Sequence, residues 1–140
     1  MTRLTDLIRD QRPLVLEPHT TVKKACEQLR ENRRSAVLVV HPDDGYLVGI
    51  FTGRDAICRV IACGLDSEKT TLAEVMTTNP TRITPYTTAI EALRLMWDGG
   101  FRHLPVTERG KIVGVVMRRD FKSEDLSRLE EEREFWEHMR

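Results

Sequence analysis

Two short segments concentrate the groups that could do chemistry. In Gly49-Ile50-Phe51-Thr52-Gly53-Arg54-Asp55 an apolar run is followed by a hydroxyl, a guanidinium and a carboxylate, and Gly114-Val115-Val116-Met117-Arg118-Arg119-Asp120 repeats the pattern with methionine in the hydroxyl's place. Each reads as a strand that ends in a polar turn and opens a helix, so orphan backbone N–H groups lie beside those side chains. A ribose diol wants a carboxylate, such as Asp55 or Asp120, and a phosphate wants amides and a guanidinium, such as Arg54 or Arg119. The competing reading is structural, because Thr-x-x-Asp ahead of an apolar helix is a capping box that satisfies amides and nothing more. Met117 cannot cap through its side chain, yet Arg119 and Asp120 keep their places, which favours a role beyond capping.

The elements that must hold these turns also come twice. Leu4-Thr5-Asp6-Leu7-Ile8 and Leu72-Ala73-Glu74-Val75-Met76 are matching helical turns, and Pro13 to Pro18 matches Pro80 to Pro85 as a short extended piece between prolines. Thr20-Thr21 and Thr87-Thr88 start helices whose apolar stripes are Val22, Ala25, Cys26, Leu29 and Ala89, Ala92, Leu93, Met96. Such stripes are core. The apolar runs Ala36 to Val40 and His103 to Val106 predict strands covered on both faces. Turns at Pro42 to Gly45 and at Arg109-Gly110 then predict hairpins into strands Leu47 to Phe51 and Ile112 to Met117. A helix carrying Ile57, Val60 and Ile61 closes the first copy and stops at Gly64. The unit is β-α-β-β-α, and two copies of this size are expected to stack rather than stand apart.

The expected divisions are residues 1–68, which hold the first repeat with its leading helical turn, 69–122, which hold the second, and 123–140. The last stretch is an acidic amphipathic helix with Leu126, Leu129, Arg133 and Trp136 on one stripe, Phe135 and Met139 beside it. It reads as a solvated helix laid over the core, or as a helix that makes a dimer or recruits a partner.

Bulk composition excludes several classes. The 140 residues carry 22 Lys plus Arg against 22 Asp plus Glu, so no global field draws in nucleic acid or an anionic membrane. No run of about 18 apolar residues and no apolar leader is visible, so the cytoplasm is the expected location. Cys26, Cys58 and Cys63 form no Cys-x-x-Cys pair and fit reduced thiols; Cys58 and Cys63, five apart, fall on different faces of an α-helix and make a poor metal pair. The four histidines lack metal-ligand spacing, and neither a nucleophile elbow nor a Walker-type loop is present. His103 reads as packing or pocket lining rather than proton transfer. The expectation is a protein that is not an enzyme, with no metal and no cofactor.

Together these features resemble the paired CBS (cystathionine β-synthase) domains over residues 1 to about 122. The resemblance rests on the repeat itself, the helix starts after Pro18 and Pro85, the Arg102-His103-Leu104-Pro105-Val106 strand, and the Gly-apolar-apolar-Thr-x-x-Asp turn at Gly49 to Asp55. It implies a mixed α+β fold of two pseudo-symmetric repeats with three-stranded sheets, and two clefts that take adenosine-containing ligands such as AMP, ADP, ATP or S-adenosylmethionine. By position, the resemblance gives ribose contacts to Asp55 and Asp120 and the hydroxyl contact to Thr52. It gives the adenine pocket Leu16 and Val37 in the first repeat and Ile83, Thr84, His103, Leu104 and Pro105 in the second. Arg54 and Arg119, which flank the carboxylates, are phosphate candidates on their chemistry. Met117 removes one donor from the second turn, and Ala36-Val37-Leu38 lacks the proline found at Pro105, so one good site is expected more readily than two.

The function expected is a regulatory module, a homodimer, that senses metabolic state through an adenosyl ligand. The alternative is a structural adaptor with degenerate clefts that recruits a protein target through its C-terminal helix.

Overall fold

A computed structural model describes residues 2–139. The elements run α1 (Leu4–Ile8), β1 (Val15–Leu16), α2 (Val22–Asn32), β2 (Ala36–Val40), β3 (Leu47–Thr52), α3 (Gly53–Asp55) continuing as a π-helical segment (Ala56–Ile61), α4 (Leu72–Val75), β4 (Thr77–Thr78), α5 (Ala89–Gly99), β5 (His103–Glu108), β6 (Lys111–Met117), a 3-10 turn (Arg118–Asp120) and α6 (Ser123–His138). This is the mixed α+β architecture of two strand-rich repeats with a C-terminal helix that the sequence predicts.

Two compact units result: one of Arg12–Thr81 with Arg109–Ile112, the other of the remaining described chain. In the first, β1 pairs parallel with β2, and β2 and β3 form the expected hairpin, with Val37 opposite Phe51 and a bulge between Val39 and Val40. The segment before the second repeat adds β4 to the edge of β3, making four strands where three are expected. The core is Val22, Ala25, Leu29, Val37, Val39, Phe51, Val60, Leu72 and Val75. Each fully buried Val, Leu or Phe side chain among them contributes about 1.5–3 kcal/mol relative to exposure.

In the second unit β5 and β6 form a two-stranded sheet, and the place of a third strand is taken by Ile83 alone, bridged in parallel to Val106. Arg109 and Gly110, both at positive φ (55° and 82°), make the tight turn between these strands, the conformation that matches strand twist in a two-residue hairpin. The core gathers Ala89, Ala92, Leu93 and Met96 of α5 with Leu104, Val106, Val116, Phe121 and Leu129.

Leu4 and Ile8 of α1 also belong to this second core, while Leu72 and Val75 of α4 belong to the first. Each leading helical turn therefore packs with the repeat that it does not precede, and the 1–68 and 69–122 divisions follow sequence order, not packing.

Helix starts follow the threonines. Thr21 Oγ1 accepts from Lys24 N–H at 3.3 Å, and Thr88 and Glu91 satisfy each other's amides at 3.2 and 3.3 Å. Gly64 ends the first closing helix at φ 70°, as its position predicts. Helix α6 docks on the second core through Leu129 and the partly buried Leu126, and buried Asp125 accepts a hydrogen bond from the Thr2 hydroxyl. Its far end stays open, with Phe135 57% and Trp136 61% exposed.

Candidate functional site

The first turn is a hydrogen-bonded cap. Asp55 Oδ2 accepts both the Thr52 amide at 2.9 Å and the Thr52 hydroxyl at 3.3 Å, and Arg59 Nε lies 3.6 Å from Asp55 Oδ1. Arg59 also donates to the carbonyls of Val75 and Met76 at 3.2 and 3.1 Å, which fixes it beside the carboxylate. Arg59 is thus a member of the site that the Gly49 to Asp55 motif missed; its signal was the i, i+4 spacing from Asp55. Thr52 and Asp55 are half-buried, and Arg54 is exposed. The hydroxyl and carboxylate expected to face a ribose are here engaged with one another.

The second turn uses its carboxylate differently. Asp120 Oδ2 accepts the Met117 amide at 2.7 Å, so the backbone half of the cap survives without a hydroxyl. A carboxylate has about four lone-pair sites, and one amide leaves acceptor capacity on Asp120. The Arg118 amide donates to the Arg102 carbonyl at 3.1 Å, which ties the turn to the start of β5, where the charges of Arg119 and Asp120 act on His103. Burial first, and then the Arg119 and Arg102 charges, push the His103 pKa below its ordinary value, with Asp120 opposing. His103 is therefore neutral at pH 7, one ring nitrogen an acceptor and the other a donor.

The adenine candidates separate into surface and core. Val37 and Leu104 are fully buried in their units, so their side chains are packing and they could offer a ligand only backbone groups. Ile83 is also buried; its N–H donates to the Pro105 carbonyl at 3.0 Å and its carbonyl accepts from Thr107 N–H at 2.8 Å. Sheet and core thus account for the groups of Ile83. Pro105 is buried beside it and has no N–H to offer. Thr84 is exposed in a turn where its amide and hydroxyl lie 3.2 and 3.5 Å from Thr87 Oγ1. Leu16 is half-buried at the end of β1, in register with Val39. Of the expected residues, the structure brings together His103, Arg119 and Asp120 in the second unit, and Thr52, Arg54 and Asp55 in the first.

Gln11 is a further supporting residue that sequence reasoning missed. Its side-chain carbonyl accepts the Val115 N–H at 2.8 Å, across 104 residues of chain, a contact with no local signal. Nearby Gly114 would bring a Cβ within 2.6 Å of Ile8, so α1 packs close against β6 because that position is glycine.

Among the described residues no cluster of His, Cys, Asp or Glu could hold a metal ion. None of the described helices is long and apolar enough to cross a membrane.

The CBS domain model matches residues 4–61 and again 72–127. The chain is 38% identical over 128 residues to a CBS domain-containing protein of Arabidopsis thaliana, CBSCBSPB2; the match takes in 91% of this chain but 24% of that one, so the chain spans about a quarter of such a relative. A CBS-domain-containing protein from Agrobacterium tumefaciens superposes with a TM-score of 0.75 at 30% identity, covering 84% of this chain and 91% of that one. CBSX2, whose structure was solved in complex with AMP, gives a TM-score of 0.68 at 26% identity, covering 82% and 88%. With both repeats matched by the family model and the repeat architecture present in the fold, the chain belongs to the CBS domain family.

Proposed function

We propose that the chain is a non-enzymatic regulatory module that binds an adenosine-containing ligand, with AMP the first candidate, through the strand and turn of the second repeat. The carrying observation is the grouping of a neutral His103, the Arg119 guanidinium and an Asp120 carboxylate with acceptor capacity at the junction of β5 and the turn after β6. In this reading His103 and the β5 backbone meet the base, Asp120 accepts from the ribose hydroxyls, and Arg119 meets phosphate. That a relative of 26% identity was solved with AMP supports the choice of first candidate. ADP, ATP and S-adenosylmethionine share the adenosine and remain in the same class. The first turn is the weaker candidate, since Thr52 and Arg59 compete with any ligand for Asp55.

Regulation would work by population shift: a ligand held by one arrangement of strand and turn favours that arrangement, and a few kcal/mol of differential binding resets the equilibrium. A homodimer suits the exposed apolar side chains Ile57, Ile61 and Trp136, which a second copy would cover. A thermal-shift screen against AMP, ADP, ATP and S-adenosylmethionine tests the reading. A ligand at a hundred times its dissociation constant should add about 2.7 kcal/mol of stability. No shift with any of the four refutes the proposal.

The adaptor reading is favoured by one observation: both turn carboxylates already do the work of caps, as a purely structural turn requires. It expects no adenosyl binding, and loss of a protein partner when residues 123–140 are deleted, measured by pull-down with defined candidate partners.

A further inference from the structure

Side chains from three elements meet on one ring in the second unit. Trp97, in the last turn of α5, has the Arg133 guanidinium of α6 4.0 Å from its ring centroid and the Arg118 guanidinium 5.3 Å from it, both within cation–π range. Two guanidiniums side by side repel, and the negative face of an indole makes their approach favourable. Arg118 opens the turn that ends in Asp120. Its N–H donates to the Arg102 carbonyl at 3.1 Å and its carbonyl accepts the Phe121 N–H at 3.3 Å, so its side chain adds a tie from a fixed backbone to the helices. On α6, Glu132 pairs with Arg94 of α5 one residue before Arg133. Past Leu129 that helix leaves the core, with Phe135 and Trp136 exposed, and the ion pair and the ring contact are what hold it to α5. The first repeat cannot make the same contact. With the two helix stripes matched, Arg30 stands where the second repeat has Trp97, and with the two turns matched, Gly53 stands where it has Arg118.

We propose that Trp97 is a positioning residue for the adenosyl site: it fixes Arg118, and with it the aim of Arg119 and Asp120, and through Arg133 it makes that aim depend on α6. The inference rests on the second turn being the binding site. Arg118 immediately precedes Arg119 and lies two residues before Asp120, so a rotation of the turn that lifts Arg118 off the ring also moves the guanidinium and carboxylate offered to phosphate and ribose. A turn already held in its binding geometry loses less freedom when the ligand arrives, which raises affinity without any new contact to the ligand. Since Arg133 shares the ring, a change in how α6 docks changes the affinity of the turn, and by reciprocity the ligand favours the docked helix. None of these contacts requires an open surface, so coverage of Trp136 by a second copy leaves them in place.

The test uses the full chain, first without ligand and then with AMP as the probe. In ligand-free protein, Trp97→Leu and Arg133→Gln should each move the Arg118 side-chain Nε–H and Asp120 amide resonances in heteronuclear NMR, because the first removes the ring and the second frees it to move. Trp97→Phe, which keeps an aromatic face, should move them less. In isothermal titration Trp97→Leu and Arg133→Gln should weaken AMP binding about two- to fivefold with circular dichroism unchanged, and Trp97→Phe should recover most of that loss. A Trp97 that only fills space would be served as well by leucine as by phenylalanine. Arg118 and Asp120 resonances indifferent to Trp97→Leu and Arg133→Gln, or AMP affinities equal in the wild type and all three variants, would overturn the proposal. Absence of AMP binding to the wild type would remove the binding reading and the effect on affinity with it, while the ligand-free resonances would still decide whether Trp97 joins the turn to α6.

Discussion

The two turns are the same backbone device carrying different chemistry. In both, an aspartate three residues past the strand end takes the amide of the strand's last residue, at 2.9 Å for Asp55 and 2.7 Å for Asp120. The first adds a hydroxyl and an arginine to its carboxylate, and so becomes a more complete cap. The second has no hydroxyl on its carboxylate and, among the described residues, no ion-pair contact to it, and its charges act instead on His103. A motif that matches the family pattern better is thus the one whose ligand groups are more fully used inside the protein. Matching residue types is not the same as having acceptors to spare.

The largest effect that separates the two turns should come from beneath them. Phe51 immediately precedes Thr52 and Val116 immediately precedes Met117, and both are fully buried. Phe51→Ala should cost about 3–5 kcal/mol from lost transfer energy and cavity. Val116→Ala, which removes about two methylene equivalents, should cost roughly 2 kcal/mol. Urea denaturation followed by circular dichroism measures both, and equal losses would mean that the two positions do not differ as their side-chain sizes require.

Next come the carboxylates themselves. Loss of a helix cap costs typically about 1 kcal/mol, so Asp120→Ala should destabilise by about that amount, and Asp55→Ala by somewhat more because Thr52 and Arg59 lose a partner as well. Reversal of that order in chemical denaturation would break the comparison.

Met117→Thr sharpens it from the other side. A hydroxyl at this position should donate to Asp120 as Thr52 does to Asp55, adding a few tenths of a kcal/mol of stability and weakening AMP binding severalfold by competition. Tighter binding would instead mean that the hydroxyl contacts the ligand, as the family resemblance implies for Thr52.

The smallest effect is one of pH. His103 binds a proton less readily in the folded chain than in the unfolded one, so stability should fall as pH drops below about 6.5, until the folded form is protonated too. His103→Gln should flatten that slope in thermal melts between pH 5 and 7. An unchanged slope would place the responsible group elsewhere.

Much of this was legible because it is local. Threonine caps at Thr21 and Thr88, the glycine stop at Gly64, the tight Arg109-Gly110 turn and the alternation into strands all depend on neighbours within a few residues, and each is in place. What the sequence hid depends on distant or cumulative geometry. Nothing local announces that α1 packs with the second repeat's core, that Gln11 holds β6, or that β4 extends the first sheet. The π turn was hidden too, since Ala56 to Ile61 has an ordinary helical pattern. Burial was the other gap: the extended positions of Val37, Leu104 and Ile83 were readable, but only the packed structure assigns their side chains to the core.

The central claim is that the second turn, with His103, Arg119 and Asp120, holds an adenosyl ligand. Isothermal titration of AMP into the wild type, Asp120→Ala and Asp55→Ala measures it most directly. The account predicts saturable binding to the wild type, at least a tenfold loss in Asp120→Ala, and affinity near wild type in Asp55→Ala, with the circular dichroism of all three unchanged. Binding that survives Asp120→Ala and disappears with Asp55→Ala would contradict it.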